Sequence, residues 1–235
     1  MFTFDTVGVI HSCFKEKFGI PRQPGLVPAA RAVLELLPPY NRVEAVRGLE
    51  GFSHIWITFV FHTRLGEPWS PTVRPPRLGG NRRAGVFATR SPLRPNPIGL
   101  SAVKLEKIEA AAGSVRLHLQ GVDLLDGTPV LDIKPYLPYA DSISAATGGY
   151  APEAPAATFE VNFSREALAG CTSARDQDLE LELLIRQILV QDPRPAYYGK
   201  GGGKRAFGMR LSGYEVKWEV KGDAVVVTAI ALVGE

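Results

Sequence analysis

Two stretches of this 235-residue chain combine anion-binding side chains with residues that stiffen the backbone. One is Arg74-Pro-Pro-Arg-Leu-Gly-Gly-Asn-Arg-Arg83, the other Thr89-Arg-Ser-Pro-Leu-Arg-Pro-Asn-Pro-Ile-Gly-Leu100. Proline fixes φ and removes a backbone donor, so Pro92, Pro95 and Pro97 predict a rigid, non-helical loop. Arg90, Arg94 and Asn96 are then expected on a stiff frame, which a binding or reacting site requires. Charge points the same way. Residues 64–94 hold seven arginines against the single acid Glu67, a balance of +6, which leaves −3 for the rest of a chain of net charge +3. A cationic segment on a slightly acidic body is the pattern of a polyanion site, although a solvated loop has the same composition.

Acid–base candidates are few. His54 and His62 share a parity on one apolar strand and could line an interior face, with His62 at the strand end, where binding groups concentrate. Asp123-Leu-Leu-Asp-Gly-Thr-Pro129 sets two carboxylates beside a tight turn, and turn chemistry alone accounts for Asp126-Gly127. Cys13 and Cys171 stand far apart with no Cys-x-x-Cys pair, so neither a zinc site nor a disulfide framework is expected. Gly199-Lys-Gly-Gly-Gly-Lys204 is followed by Arg205 and not by Ser or Thr, so it reads as a flexible basic loop and not as a phosphate loop.

The elements that must position these groups are mostly strands. Phe4–Ile10, 53–62, 84–89, 99–109, 114–120 and 128–133 carry β-branched and aromatic runs, and 53–62 is apolar enough on both parities to predict burial on both sides. Asp126-Gly127 carries a two-residue hairpin signal. No long amphipathic helix intervenes and no strand–GxGxxG–helix unit occurs, which excludes a dinucleotide fold and favours an antiparallel barrel. A linker at 147–157 separates it from a small α+β segment. There Ser164 is expected to cap a helix ended by Gly170, residues 177–190 form a second helix, and Tyr214–Val220 and 224–233 form a strand pair. The predicted fold is thus mainly β, with a barrel domain over 1–150 and an α+β domain over 151–235. No apolar run is long enough for a membrane helix, and the N-terminus lacks a signal pattern, so a cytoplasmic location is expected.

Several strings then carry a family resemblance. Lys15–Leu26, Pro39-Tyr-Asn41, Val46-Arg-Gly-Leu-Glu50, Arg74–Arg83, Phe87-Ala-Thr-Arg-Ser91, Arg94-Pro-Asn-Pro-Ile-Gly99, Asp126-Gly-Thr-Pro129, Asp132-Ile-Lys-Pro-Tyr136 and Asp192-Pro-Arg-Pro-Ala-Tyr197 resemble, in order along nearly the whole chain, the TrmO family. The resemblance implies a homodimeric β-barrel tRNA methyltransferase that uses S-adenosylmethionine, and the lack of any ligand cluster in the sequence leads to the expectation that no metal is needed. Its substrate would be the N6 of threonylcarbamoyl-adenosine beside the anticodon. It implies cofactor contacts at Pro21, Arg22, Gln23, His62, Thr63, Arg90, Leu100, Asp123, Leu124, Leu125 and Asp126.

Within that frame Asn96 is expected to orient the reacting nitrogen and Asp126 to take its proton. Arg77, Arg82 and Arg83 are expected on tRNA phosphates. Arg194 and Tyr197, next to the basic loop, are expected to grip single-stranded RNA through a phosphate contact and base stacking. The competing readings are a non-catalytic RNA-binding barrel and a methyltransferase with another substrate.

Overall fold

The computed structural model describes residues 3–175, 180–195, 198 and 206–234. Two compact units result. The first comprises Met1–His11, Ala32–Gln120 and Gly127–Ala154, and the second Ser12–Arg31, Gly121–Asp126 and Pro155–Glu235. The second unit is therefore not only the C-terminal segment. It takes in two earlier stretches that contain Pro21–Gln23 and Asp123–Asp126.

The strands of the first unit are β1 (Gly8–Ser12), β2 (Arg31–Leu36), β3 (His54–Val60), the short β4 (Thr72–Val73) and β5 (Ala84–Gly85), β6 (Ile98–Ala111), β7 (Ser114–Gln120) and β8 (Pro129–Pro135), followed by a helical turn, α1 (Pro138–Asp141). Six strands close into a barrel in the order β1-β2-β7-β6-β3-β8, which leaves no open edge, while β4 and β5 pair as a separate ribbon. Alternation drives closure. One parity of each long strand is buried: Leu34 and Leu36, Ile55, Ile57 and Phe59, Val103 and Leu105, Val115, Leu117 and Leu119. Each such side chain contributes about 1.5–3 kcal/mol on burial.

The other parity of β3 corrects the reading of a strand buried on both sides. Trp56, Thr58 and Val60 are only half-buried, because they lie on the barrel's outer surface, where Tyr136 packs against Trp56 at 5.6 Å between ring centroids. His54 belongs to this outer parity and is exposed, with Nδ1 2.9 Å from Ser53 Oγ. It does not line the interior.

The second unit holds a four-stranded sheet, ordered β10 (Ala206–Leu211), β11 (Tyr214–Lys221), β12 (Ala224–Leu232) and β9 (Glu160–Phe163), with β9 parallel to β12. Two helices accompany it, α2 (Arg165–Arg175) and α3 (Leu181–Val190). Leu181, Leu184, Ile185, Ile188 and Leu189 form the buried face of α3. Ser164 Oγ accepts the Ala167 N–H at 3.0 Å, the expected cap. Gly170 does not end α2 but lies inside it. A Cβ there would stand 2.7 Å from the Ile230 carbonyl oxygen, so the glycine serves close helix–sheet approach. Residues 12–16 run beside β10: Phe14 bridges Leu211, and Ser212 donates its N–H to the Cys13 carbonyl at 2.9 Å.

Candidate active site

The Asp123–Asp126 segment is built by residues 12–15. Ser12, 5% exposed, donates its hydroxyl to the Leu124 carbonyl at 2.7 Å, and its Oγ accepts the Phe14 N–H at 3.1 Å. The Asp126 N–H donates to the Phe14 carbonyl at 2.9 Å. Asp126 Oδ1 accepts the Ser12 N–H at 2.9 Å, and Oδ2 faces Lys15 Nζ at 2.9 Å. The predicted turn forms, with Gly127 at φ 76°, but residues 121–126 are not the strand of a hairpin. The Leu124 carbonyl and the Asp126 N–H pair with the 12–15 segment instead, and Gly121 pairs with Gly25 and Ala30. Leu124 is fully buried, so its side chain is core and only its backbone can meet a ligand. Cys13, in the same segment, is held as a neutral thiol, since burial pushes its pKa up to about 11. No cysteine nucleophile is available here.

Of the 19–23 loop, Pro21 is buried and Arg22 exposed, with Arg22 Nη2 at 3.5 Å from the Arg194 carbonyl. The loop lines a cavity of about 40 Å³ with Ile188, Gln191 and Asp192, room for about one water. Gln191 Oε1 is buried with no hydrogen-bond partner among the described residues. Gln23 is half-buried.

In the barrel unit, β3 ends in a 3₁₀ turn, His62–Arg64. The Phe61 N–H donates to the Pro97 carbonyl at 2.7 Å, which fastens the turn to the loop that precedes β6. His62 is half-buried and Thr63 exposed. Leu100 pairs with Thr58 and points outward, 54% exposed, beside Ile98 opposite Val60. An exposed apolar strip between polar loops is a surface that a ligand or partner would cover.

The Thr89–Pro97 loop is rigid for a further reason. Arg94 is half-buried and folds back on the loop, donating to the Thr89 carbonyl at 2.7 Å with its guanidinium 5.9 Å above the Phe87 ring. It braces the loop, whereas Arg90 and Asn96 are exposed. Asn96 is fixed through its carbonyl, which accepts the Ile98 N–H at 2.7 Å.

The cationic segment is the β4–β5 ribbon. Thr72 pairs with Gly85 and Val73 with Ala84, so residues 74–83 form its loop, and the strand predicted over 84–89 stops at Gly85. Arg64 is neutralised by Glu67, and Arg83 donates to Thr72 Oγ1 at 2.8 Å. Arg77 and Arg82 are exposed and make no hydrogen bond or ion pair among the described residues.

Arg194 corrects the reading as an RNA grip. It is 6% exposed, its Nε and Nη2 lie 2.8 and 2.9 Å from the two Asp192 oxygens, and its guanidinium lies 4.9 Å above Phe159. Such a bidentate, stacked arginine holds the corner after α3 together. Tyr197 and the Gly199–Arg205 loop lie outside the described residues; Tyr198 packs edge-on against Phe207 at 5.5 Å.

Ser12 and Lys15 were the residues missed. Lys15 opens a charged Lys-Glu-Lys run that reads as solvated surface. Ser12 stands 114 residues from Asp126, a separation that hides the pairing in the sequence.

Fold and site together define a β-barrel protein with an arginine-rich ribbon loop and a separate sheet-and-helix unit. The model of the tRNA-methyltransferase O N-terminal domain matches residues 9–142, and that of the TrmO C-terminal domain matches residues 156–233. The chain belongs to the TrmO family. It is 53% identical over 220 residues to the tRNA (adenine(37)-N6)-methyltransferase of Escherichia coli (strain K12), covering 93% of each chain. It is also 53% identical over 216 residues to a Pseudomonas aeruginosa PAO1 protein named putative S-adenosylmethionine-dependent methyltransferase RcsF, covering 90% of each. The crystal structure of TrmO from Pseudomonas aeruginosa matches with a TM-score of 0.82 at 43% identity, over 98% of both chains.

Proposed function

We propose that this protein transfers a methyl group from S-adenosylmethionine to the N6 of adenosine 37 in tRNA, and that this adenosine already carries a threonylcarbamoyl group. The observation that carries the reading is 53% identity over nearly the whole chain to an enzyme named for that position. The bound cofactor supplies a sulfonium methyl group for in-line attack, so the protein's part is positioning and charge placement.

N6 of a threonylcarbamoyl-adenosine is amide-like, with its lone pair drawn into the carbonyl. It must be aligned and must lose its proton. We assign alignment to Asn96, whose amide both donates and accepts. As cofactor contacts we propose Pro21, Arg22, Gln23 and Asp123–Asp126 in the second unit, and His62, Thr63, Arg90 and Leu100 in the barrel unit. A fixed carboxylate suits a ribose hydroxyl or an ammonium, and exposed Leu100 suits an apolar ring face. Among the described residues no His, Cys, Asp and Glu side chains group as metal ligands, and no helix is long and apolar enough to cross a membrane. We place the protein in the cytoplasm as a homodimer.

Calorimetry with S-adenosylhomocysteine in the presence of chelator tests the cofactor reading: saturable heat is expected, and its absence from folded protein at millimolar ligand would sink it.

The arginine ribbon makes a separate prediction. Arg77→Gln or Arg82→Gln should weaken tRNA binding whatever the sequence, and should flatten the log–log salt dependence by about 0.7–0.9 per lost phosphate contact. S-adenosylhomocysteine affinity should stay at the parent value. Loss of cofactor affinity with intact tRNA binding would reassign the ribbon.

A further inference from the structure

We infer that Lys15 is a positioning residue for the cofactor, which it serves by fixing the Asp126 carboxylate together with the Ser12 N–H. The inference rests on the proposal that Asp126 contacts the cofactor and goes beyond it, since no role for Lys15 follows from that proposal. Three observations carry it.

The Asp126 carboxylate is held at both oxygens, by the Ser12 N–H and the Lys15 ammonium, each at 2.9 Å. Two such contacts fix its plane as well as its position. The scaffold beneath is buried: Ser12 ties Leu124 and Phe14 into the same knot, so the segment cannot tilt without breaking several hydrogen bonds. The outer edge of the pair remains open, for the Lys15 and Asp126 side chains are 40% and 32% exposed. The knot therefore faces inward and the charged pair outward.

A carboxylate held in one plane by two donors keeps its remaining lone pairs in fixed directions, which suits the holding of a hydroxyl or an ammonium of the ligand.

The test uses the full chain with Lys15→Met and Lys15→Arg. S-adenosylhomocysteine affinity is read by calorimetry, and KM and kcat by methyl transfer to tRNA. Lys15→Met is expected to weaken S-adenosylhomocysteine by about 10- to 100-fold, the range for one lost charge-assisted hydrogen bond. Lys15→Arg is expected to restore most of it, and the loss is expected in KM for S-adenosylmethionine more than in kcat. Either of two results overturns the inference. One is Lys15→Met binding S-adenosylhomocysteine within twofold of the parent. The other is a loss confined to kcat, with KM for S-adenosylmethionine at the parent value. Failure of the parent protein to bind S-adenosylhomocysteine would instead count against the proposed function itself.

Discussion

Asp192→Asn is expected to lower the stability of the protein by about 3–5 kcal/mol, the cost of leaving a buried guanidinium without its counter-charge. Arg194 is 6% exposed and engages both carboxylate oxygens, so the neutral amide offers it one acceptor in place of two charged ones. Asparagine is the informative replacement because Asp192 sits at φ 48°, a left-handed conformation that asparagine tolerates and alanine does not. The Asp192 carboxylate also accepts the Arg194 N–H at 3.2 Å, a turn that the amide oxygen of asparagine reproduces. The measured loss thus reports the charge and not the backbone. Urea unfolding checks it. A change below about 1 kcal/mol would show that solvent reaches Arg194 and would return it to the candidates for RNA contact.

Gly99→Ala is expected to be the most damaging single-methyl addition at the site. A Cβ at residue 99 would lie 2.2 Å from Phe59 Cζ, and the ring that it meets is 5% exposed and packed in the barrel core. The ring cannot swing to solvent, so β6 or β3 must shift, at about 1–3 kcal/mol for overpacking a filled core. The shift would fall between Asn96 and Leu100, so methyl transfer should fall further than stability alone explains. Pairing Gly99→Ala with Phe59→Leu, which shortens the obstructing ring, should recover part of both losses. Melting temperature and methyl transfer measured on the two variants decide it. A parent-like Gly99→Ala would show that the loop does not depend on this contact.

What could be read from the sequence, and what could not, follows from the range of the interactions. β7 and the β11–β12 pair were legible because alternation is local: Tyr214, Val216 and Trp218 against Glu215, Lys217 and Glu219 dictate a one-sided strand without help. β2 was not read. Arg31-Ala-Val-Leu-Glu-Leu36 is rich in helix formers, and only the same-parity burial of Ala32, Leu34 and Leu36 within a closed barrel makes it a strand. Gly170 illustrates the opposite error, in which a residue that usually ends helices is there because a strand lies against it.

The candidate site divides in the same way. Its rigid arginine loops are visible in composition, since proline and charge act locally, and the exposed Arg77, Arg82 and Asn96 agree with that reading. Which arginines are spent internally is a tertiary fact: Arg94 on the Thr89 carbonyl and Arg194 on Asp192 look like their neighbours in the sequence. The knot of Ser12 and Lys15 on Asp126 spans more than a hundred residues and could be found only in three dimensions.

The central claim is that this protein methylates adenosine 37 of tRNA at N6, after threonylcarbamoylation. It is tested most directly by incubating the purified protein with S-adenosylmethionine and tRNA from cells that lack it, then analysing the nucleosides by mass spectrometry. The account predicts that threonylcarbamoyl-adenosine is converted to a product one methyl group heavier, with the added methyl on N6. It also predicts no methylation of tRNA that lacks the threonylcarbamoyl group. Unchanged threonylcarbamoyl-adenosine, or a new methyl on any other nucleoside, would contradict it.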